Sequence, residues 1–493
     1  MGYKAFFNGI LAILNIVISG LILPDFCRAQ ESIWSVSASN WMQYWHHYSF
    51  VKPHLPEGSE DVEAKEDSVD NRFIVNFDLG DFYAGAWLRV FEPARPDTSY
   101  ERITQRYFGW SENGLTLHLG NLYQTFDHGL TLNAFLDDAV YFDNNLDGVK
   151  ISGMYDHFEF DALSARGLNI RTNQREYTIR GARGAVKPLQ GIKAGFSFVR
   201  FKQNDFLDFS HAANANLTAF NVGINRGPIE LYSEYAYKRG IDPFGMRADG
   251  DVTYLSGSLS QKIFSLYAEY KNLINMLYPG PAGAFNTPPP VSHSGRTLVS
   301  LANAFGERAY QLGALIAPSF TLNFDLAFSE SRSRGGPIHL YLANKYGGTR
   351  WAPTSRLTMN FHWERFDYTI EDEIENYLDS YFYLGPSQTV SIVAYTRRFV
   401  PSDSGSTSYH ENYLTLGYGR GSLLEINAGT SYSNNKITFD PRIIYFGEVT
   451  VRFKSHELVV FVGGERGGLI CSSGVCSFRP TFQGTRVMLF SRF

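Results

Sequence analysis

The sequence predicts an all-β fold, an antiparallel transmembrane β-barrel of about 22–24 strands with short periplasmic turns and long extracellular loops. Three observations point there. The composition is rich in aromatics and glycine yet has no apolar helical span, side-chain character alternates with period two, and tight turns exchange regularly with long polar connections.

Of 493 residues, 15% are aromatic, with 39 Phe and 30 Tyr beside 45 Gly. Aromatics suit a pleated surface, and glycine suits tight turns while weakening helices. Charged residues make up 19% and the net charge is −5, with no basic run, so the chain lacks the electrostatic footprint of a nucleic-acid binder. The N-terminus reads as a signal peptide over residues 1–29: Lys4, an apolar run from Ile10 to Leu23, and Cys27-Arg28-Ala29 ahead of a cleavage between Ala29 and Gln30. Pro24-Asp25-Phe26 is a poor lipobox, which argues against lipidation of Cys27. Residues 30–493 then form one barrel domain, and past residue 30 no stretch reaches the roughly 20 apolar residues of a membrane helix.

The alternation is explicit in the first hairpin. Phe73, Val75, Phe77 and Leu79 share one face while Arg72, Asn76 and Asp78 take the other; Gly80-Asp81 turns the chain, and Phe82, Ala84, Ala86, Leu88 and Val90 resume the apolar face. Tight turns are expected again at Glu112-Asn113-Gly114, Asp156-His157, Leu189-Gln190-Gly191, Arg226-Gly227-Pro228 and Ser260-Gln261-Lys262. Later ones fall at Ala317-Pro318-Ser319, Arg420-Gly421-Ser422 and Ser455-His456-Glu457. Long connections separate them, among them Val51 to Asp70, Lys202 to Leu217, Asn275 to Glu307 and Gly464 to Pro480. Strands of about 9–11 residues follow, enough to cross a bilayer at a tilt. If Ile33 to Ser49 rises from the periplasm, parity brings Phe493 to the periplasmic rim.

The chain closes on VMLFSRF, in which Val487, Leu489 and Phe493 share a face with Gly484 upstream. This ending resembles the C-terminal signal read by the barrel-assembly machinery of Gram-negative outer membranes, which makes that machinery and outer-membrane lipids the expected partners. The competing reading is the last strand of a soluble sandwich, which rarely needs so many hairpins of this length.

The segment GNLYQTFDHGLTLNAFLDDAVYFDNNLDGVKISG, from Gly120 to Gly153, resembles a stretch typical of a family of uncharacterised porin-like outer-membrane barrels classed as a domain of unknown function. LYSEYAYKRG from Leu231 to Gly240 and SLSQKIFSLYAEYKNLINM from Ser258 to Met276 are similar to later strands of that family. Asp127 stands where the family more often has glycine. The resemblance implies location and fold; it brings no activity.

Several residue groups invite chemistry. Asp143, Asn145 and Asp147, followed by Gly148, fit the first half of a calcium loop, but Met154 stands where the bidentate glutamate belongs, and the same residues suit a plain turn. The surrounding Thr125 to Asp147 combines apolar patches with Asp137, Asp138, Asp143 and Asp147; it is expected either to fold inward as a lumen constriction or to form another strand pair over Leu130 to Leu136. His46 and His47 are sequential strand residues that face opposite ways, so they cannot share one ion. Asp127-His128 has the makings of an acid–base pair, yet no motif supplies a nucleophile, and no catalytic residue or cofactor is assigned. Cys471 and Cys476 remain after processing and favour a disulfide across the final loop.

The acidic run Glu57 to Asp70 reads as a solvated part of the first outer loop, with cation-bridged surface lipid as its alternative. Pro279 to Pro290 marks the longest outer loop. Trp41, Trp45, Trp87, Trp110 and Trp363 fit an interfacial girdle, or in part a track inside the lumen. The combined reading is an outer-membrane channel for small polar solutes, with Arg72, Asp78 and Arg89 on the lumen wall. A polysaccharide-binding or export barrel and a non-conducting anchor for a surface complex are the alternatives.

Overall fold

A computed structural model describes residues 34–47, 67–92, 100–137, 142–169, 174–203, 214–241, 246–278, 284–293, 306–334, 339–369, 371–401, 408–435, 442–472, 475–479 and 481–493. The expected signal peptide, its cleavage site at Ala29 and Gln30, Asp138, and the start of the acidic run lie outside the described residues.

One antiparallel sheet of 24 strands closes on itself, the upper end of the expected range. Neighbours in sequence pair with one another from Trp34–His47 onward until Phe482–Arg492 returns to the first strand, with Met42 opposite Leu489. Closure leaves no sheet edge, the requirement for a sheet in hydrocarbon. The ring makes two detours. Leu115–Leu122 pairs with Leu146–Met154, skipping the stretch between them. His456–Glu465 pairs with Phe482–Arg492 across a separate hairpin of Gly468–Ser472 and Val475–Arg479.

The period-two pattern sets the faces. Outward, Phe77, Leu79, Phe82, Leu88, Leu312, Leu326 and Leu416 are all exposed, the apolar belt that a lipid-facing wall requires. Inward, Ser197, Asn221, Glu234, Lys271 and Gln311 are buried, although the same residue types seek water on a soluble protein. The predicted faces of the first hairpin hold: Phe77 pairs with Ala84 on the outer face and Asp78 with Tyr83 on the inner one.

Most tight turns fall where expected, and two shift. The chain turns at Phe320–Thr321 rather than Ala317–Ser319, because proline there still fits the end of strand Gly306–Ser319; Phe320 is 99% exposed at the tip. The last turn sits at Lys454–Ser455, with Lys454 at φ 52°. Turns also fall at Ser355–Arg356, which carries little sequence signal, and at Pro386–Ser387, which Gly385-Pro386 marks. The acidic run is corrected too. Asp67 to Asp70 already belong to strand Asp67–Leu79, and buried Asp70 points into the lumen, where Arg89 binds it at 2.7 and 2.8 Å and Arg72 at 3.3 Å.

One glycine steers the chain away from the wall. Gly120 has φ +100°, and a Cβ there would overlap the Arg106 carbonyl. The kink turns Asn121 toward Arg106, whose N–H donates to the Asn121 side chain at 2.8 Å, and three residues later the backbone has left the barrel.

Candidate functional site in the lumen

Between Leu122 and Leu146 the chain forms only two-residue pairings, Gln124–Thr125 with Asn133–Ala134 and Leu136–Asp137 with Phe142–Asp143. No barrel strand pair forms over Leu130 to Leu136; the segment folds inward. Phe126, Leu130 and Leu132 are completely buried in one cluster with Ile179, Val199, Phe201 and Leu217 of the inner wall. An apolar patch on the inside of a barrel has no lipid to meet, so its own chain covers it. Each large side chain buried this way contributes roughly 1.5–3 kcal/mol.

The proline-rich connection after strand Phe264–Ile274 does the same. Met276, Phe285 and Asn286 are fully buried, and Tyr278 stacks on Phe201 at 4.6 Å. Asn286 ties the two inward segments together: its amide donates to the carbonyls of Leu130 and Met276, both at 3.1 Å, while its oxygen accepts the Tyr278 N–H at 2.7 Å. The Asn144 amide donates to Ala284 at 2.9 Å. Proline density reveals a non-strand segment but not the side of the wall on which it lies, so its inward course was missed; the signal available was the apolar set Met276, Leu277, Tyr278 and Phe285 in a supposed outer loop.

Charged groups fix the first segment to the wall. Arg183 donates to Asp127 at 2.8 Å, Glu159 at 2.7 Å and Asp161 at 3.1 Å, while Asn221 donates to the second Asp127 oxygen at 2.9 Å. Asp127 sits at φ 49°, the left-handed region that glycine enters freely. His128 stacks on Tyr232 at 3.9 Å and its Nδ1 lies 3.9 Å from buried Glu234, to which Tyr232 donates at 2.7 Å. Burial holds the His128 imidazole below its ordinary pKa, against the opposing pull of Asp127 and Glu230. Thr131 and Ser197 hydroxyls meet at 2.9 Å. Asp127 and His128, weighed as an acid–base pair, thus anchor the segment.

The residues singled out in sequence divide. Asp143 accepts the Tyr123 hydroxyl at 3.0 Å, and the Asn145 side-chain oxygen accepts from Asn121 at 2.9 Å. Asp147 and Gly148 lie in strand Leu146–Met154, so the run neither wraps as a loop nor turns; it feeds the wall. Asp137 pairs opposite Phe142 in the inward segment. Among the described residues, no group of three or more His, Cys, Asp or Glu is placed to hold a metal ion. Cys471 and Cys476 are direct cross-strand partners in their hairpin. Val487 and Leu489 pair with Val460 and Leu458 on the outer face, Gly484 lies on the inner face opposite Gly463, and Phe493 exchanges backbone hydrogen bonds with Ala38 at 2.7 and 3.2 Å. Trp41, Trp45 and Trp87 face the lumen, whereas Trp110 and Trp363 face outward with Phe82 and Phe361; Arg72 lies over the Trp41 ring at 4.8 Å.

Beside His293 of the second inward segment, the wall is polar and aromatic. His293 stacks on Tyr346 at 3.7 Å, and an oblique row continues through His362, Tyr377, Tyr395 and Tyr413. His362, Tyr377, Tyr395 and Tyr413 are direct cross-strand partners, so with a strand tilt of roughly 35–45° the row climbs the wall. Arg397 sits over Tyr395 at 5.2 Å and binds Glu373 at 2.6 Å and Glu375 at 2.8 Å.

Residues 55–282 match a family of unknown function (DUF6029), so the resemblance drawn from the sequence holds over that stretch. No curated protein matches. Among solved structures, an E. coli P pilus tip assembly intermediate (PapC-PapD-PapK-PapG) aligns over 96% of this chain at 11% identity and a TM-score of 0.54; this chain spans 62% of the length of that one. The P. aeruginosa protein OccK3 (OpdO) aligns over 75% of this chain and 96% of its own at 12% identity, TM-score 0.43. The P pilus usher (PapC) translocation pore aligns over 93% and 98% at 10% identity, TM-score 0.44. The protein is a large closed antiparallel β-barrel, and the likeness to the pilus assembly structure is one of fold.

Proposed function

We propose that the protein is an outer-membrane channel for passive diffusion of small polar solutes, narrowed by its two inward segments. The carrying observation is the asymmetry of the inner wall. The buried apolar cluster joins the inward segments to wall strands between Leu115–Leu122 and Gly306–Ser319, whereas half-buried tyrosines and buried carboxylates such as Glu364, Glu373 and Glu375 line the inner face of Tyr341–Glu465. A wetted passage is lined by polar groups that set its selectivity, and this part of the wall supplies them. A polysaccharide-handling barrel draws support from the aromatic row, and a non-conducting anchor needs a lumen that is sealed.

Reconstituted in a planar bilayer, the purified protein is expected to give sustained stepwise currents. Insertion without current would sink the channel reading and leave the anchor.

The C-terminal residue supplies a second expectation, for assembly. Deleting Phe493 removes its backbone pair with Ala38 and one apolar residue of the assembly signal. The fraction of protein recovered as a heat-modifiable barrel in the outer membrane is expected to fall several-fold. Recovery equal to the parent would mean the assembly machinery does not read this ending.

A further inference from the structure

A cavity of about 580 Å³ lies on the lumen side of the wall, where the first inward segment meets it. Ligand cavities commonly measure about 300–1,000 Å³. Its floor is aromatic for a structural reason, with the Tyr83 and Tyr107 planes inclined by 54° to one another. The Tyr107 ring lies over Gly85 and the Tyr83 ring over Gly109, where any Cβ would overlap them. One face of each ring therefore rests on backbone and the other is turned to the cavity.

Hydrogen bonds hold the rings down. The Tyr107 hydroxyl donates to Asn76 at 2.6 Å, and the Tyr83 hydroxyl lies 3.1 Å from His118 Nδ1. His118 extends the floor, 5.5 Å from Tyr107 and inclined by 22°. Trp87 from the wall and Phe135 from the inward segment close the sides.

The polar lining is equally selective. Gln105, Asn121, Thr116 and Lys150 reach the cavity, and among the described lining residues there is no carboxylate. An organic cation would find ring faces but no counter-charge among the described lining residues, and a purely apolar ligand would desolvate the Lys150 ammonium. Lys150 has a carboxylate of its own, Asp161 at 3.9 Å, so its ammonium offers hydrogen bonds without demanding an anion. A ring with apolar C–H faces and a hydroxyl edge satisfies both parts of this lining.

We propose that this cavity is a binding site for a neutral saccharide, one pyranose face stacked on Tyr107, the inclined Tyr83 ring bracketing it, and its hydroxyls bonded to Gln105, Asn121 and Lys150. Binding here does not require conduction, so the proposal goes beyond the channel reading and is tested apart from it.

The test is calorimetric titration of the full chain in detergent with maltose, cellobiose and lactose, with cadaverine and benzyl alcohol as contrast probes, each variant first shown to be a heat-modifiable barrel. At least one disaccharide is expected to bind saturably. Tyr107→Leu should weaken it about ten-fold, the scale of one aromatic contact, while Tyr107→Phe keeps the ring and most of the affinity. Trp87→Leu should also remove the accompanying change in tryptophan fluorescence. Absence of a saturable isotherm with all three sugars, tighter binding of either contrast probe, or sugar binding undiminished in Tyr107→Leu would each overturn the proposal.

Discussion

Replacing residues 124–143 by a short glycine linker is expected to raise single-channel conductance several-fold. The excision is geometrically mild, because Leu122 and Leu146 are direct cross-strand partners and stand about 5 Å apart before the chain departs and after it returns. What is removed is the apolar cover of Ile179, Val199, Phe201 and Leu217 together with the carbonyl of Leu130 that Asn286 binds, so the second inward segment loses its main neighbour as well. Conductance measured beside the parent in one bilayer series decides the matter. An unchanged or smaller current from a correctly folded barrel would mean that the segment does not set the narrowest point.

Substituting Arg183 by Met is expected to free the first inward segment without opening the wall. Arg183 is the shared partner of Asp127, Glu159 and Asp161, and the Asp127 side chain is only 4% exposed. Removing one member of a buried ionic group leaves the others uncompensated, at a cost on the order of 3–5 kcal/mol. Amide exchange over residues 126–134 should therefore accelerate by at least about a hundred-fold, each 1.4 kcal/mol being a factor of ten. Exchange in the strands should hold, and the double change with Asp127→Asn, which tolerates the positive φ and removes the charge, should recover much of the protection. Acceleration spread evenly around the barrel would show that Arg183 supports the wall instead.

The barrel was legible because its determinants are local. Alternation such as Phe73 to Leu79 fixes which face meets lipid, and a turn such as Gly80-Asp81 fixes where the strand reverses. The turn at Ser355–Arg356, with no glycine, offers little to read for the same reason, whereas Gly385-Pro386 does mark the one at Pro386–Ser387. The lumen was legible only in part, since what fills it depends on contacts between distant segments. The apolar and acidic mixture of Thr125 to Asp147 announced something other than a plain loop. That Asp127 would meet Arg183, or Asn286 the Leu130 carbonyl 156 residues earlier, is a matter of tertiary register that no window of sequence contains. Tryptophan shows the limit of alternation: Trp87 and Trp110 both suit a strand, but only pairing sends one inward and the other to lipid.

The seam between Trp34–His47 and Phe482–Arg492 has a consequence for how the molecule comes to be. Every other junction of the ring can zip from a neighbour already in place, whereas this one joins stretches from opposite ends of the sequence and carries the largest entropic cost of loop closure. An intermediate that has acquired all its other hairpins still presents two raw margins of unpaired amides and carbonyls. Until they meet, those margins are templates on which another chain could pair, so their meeting is the step that removes the last sheet edge.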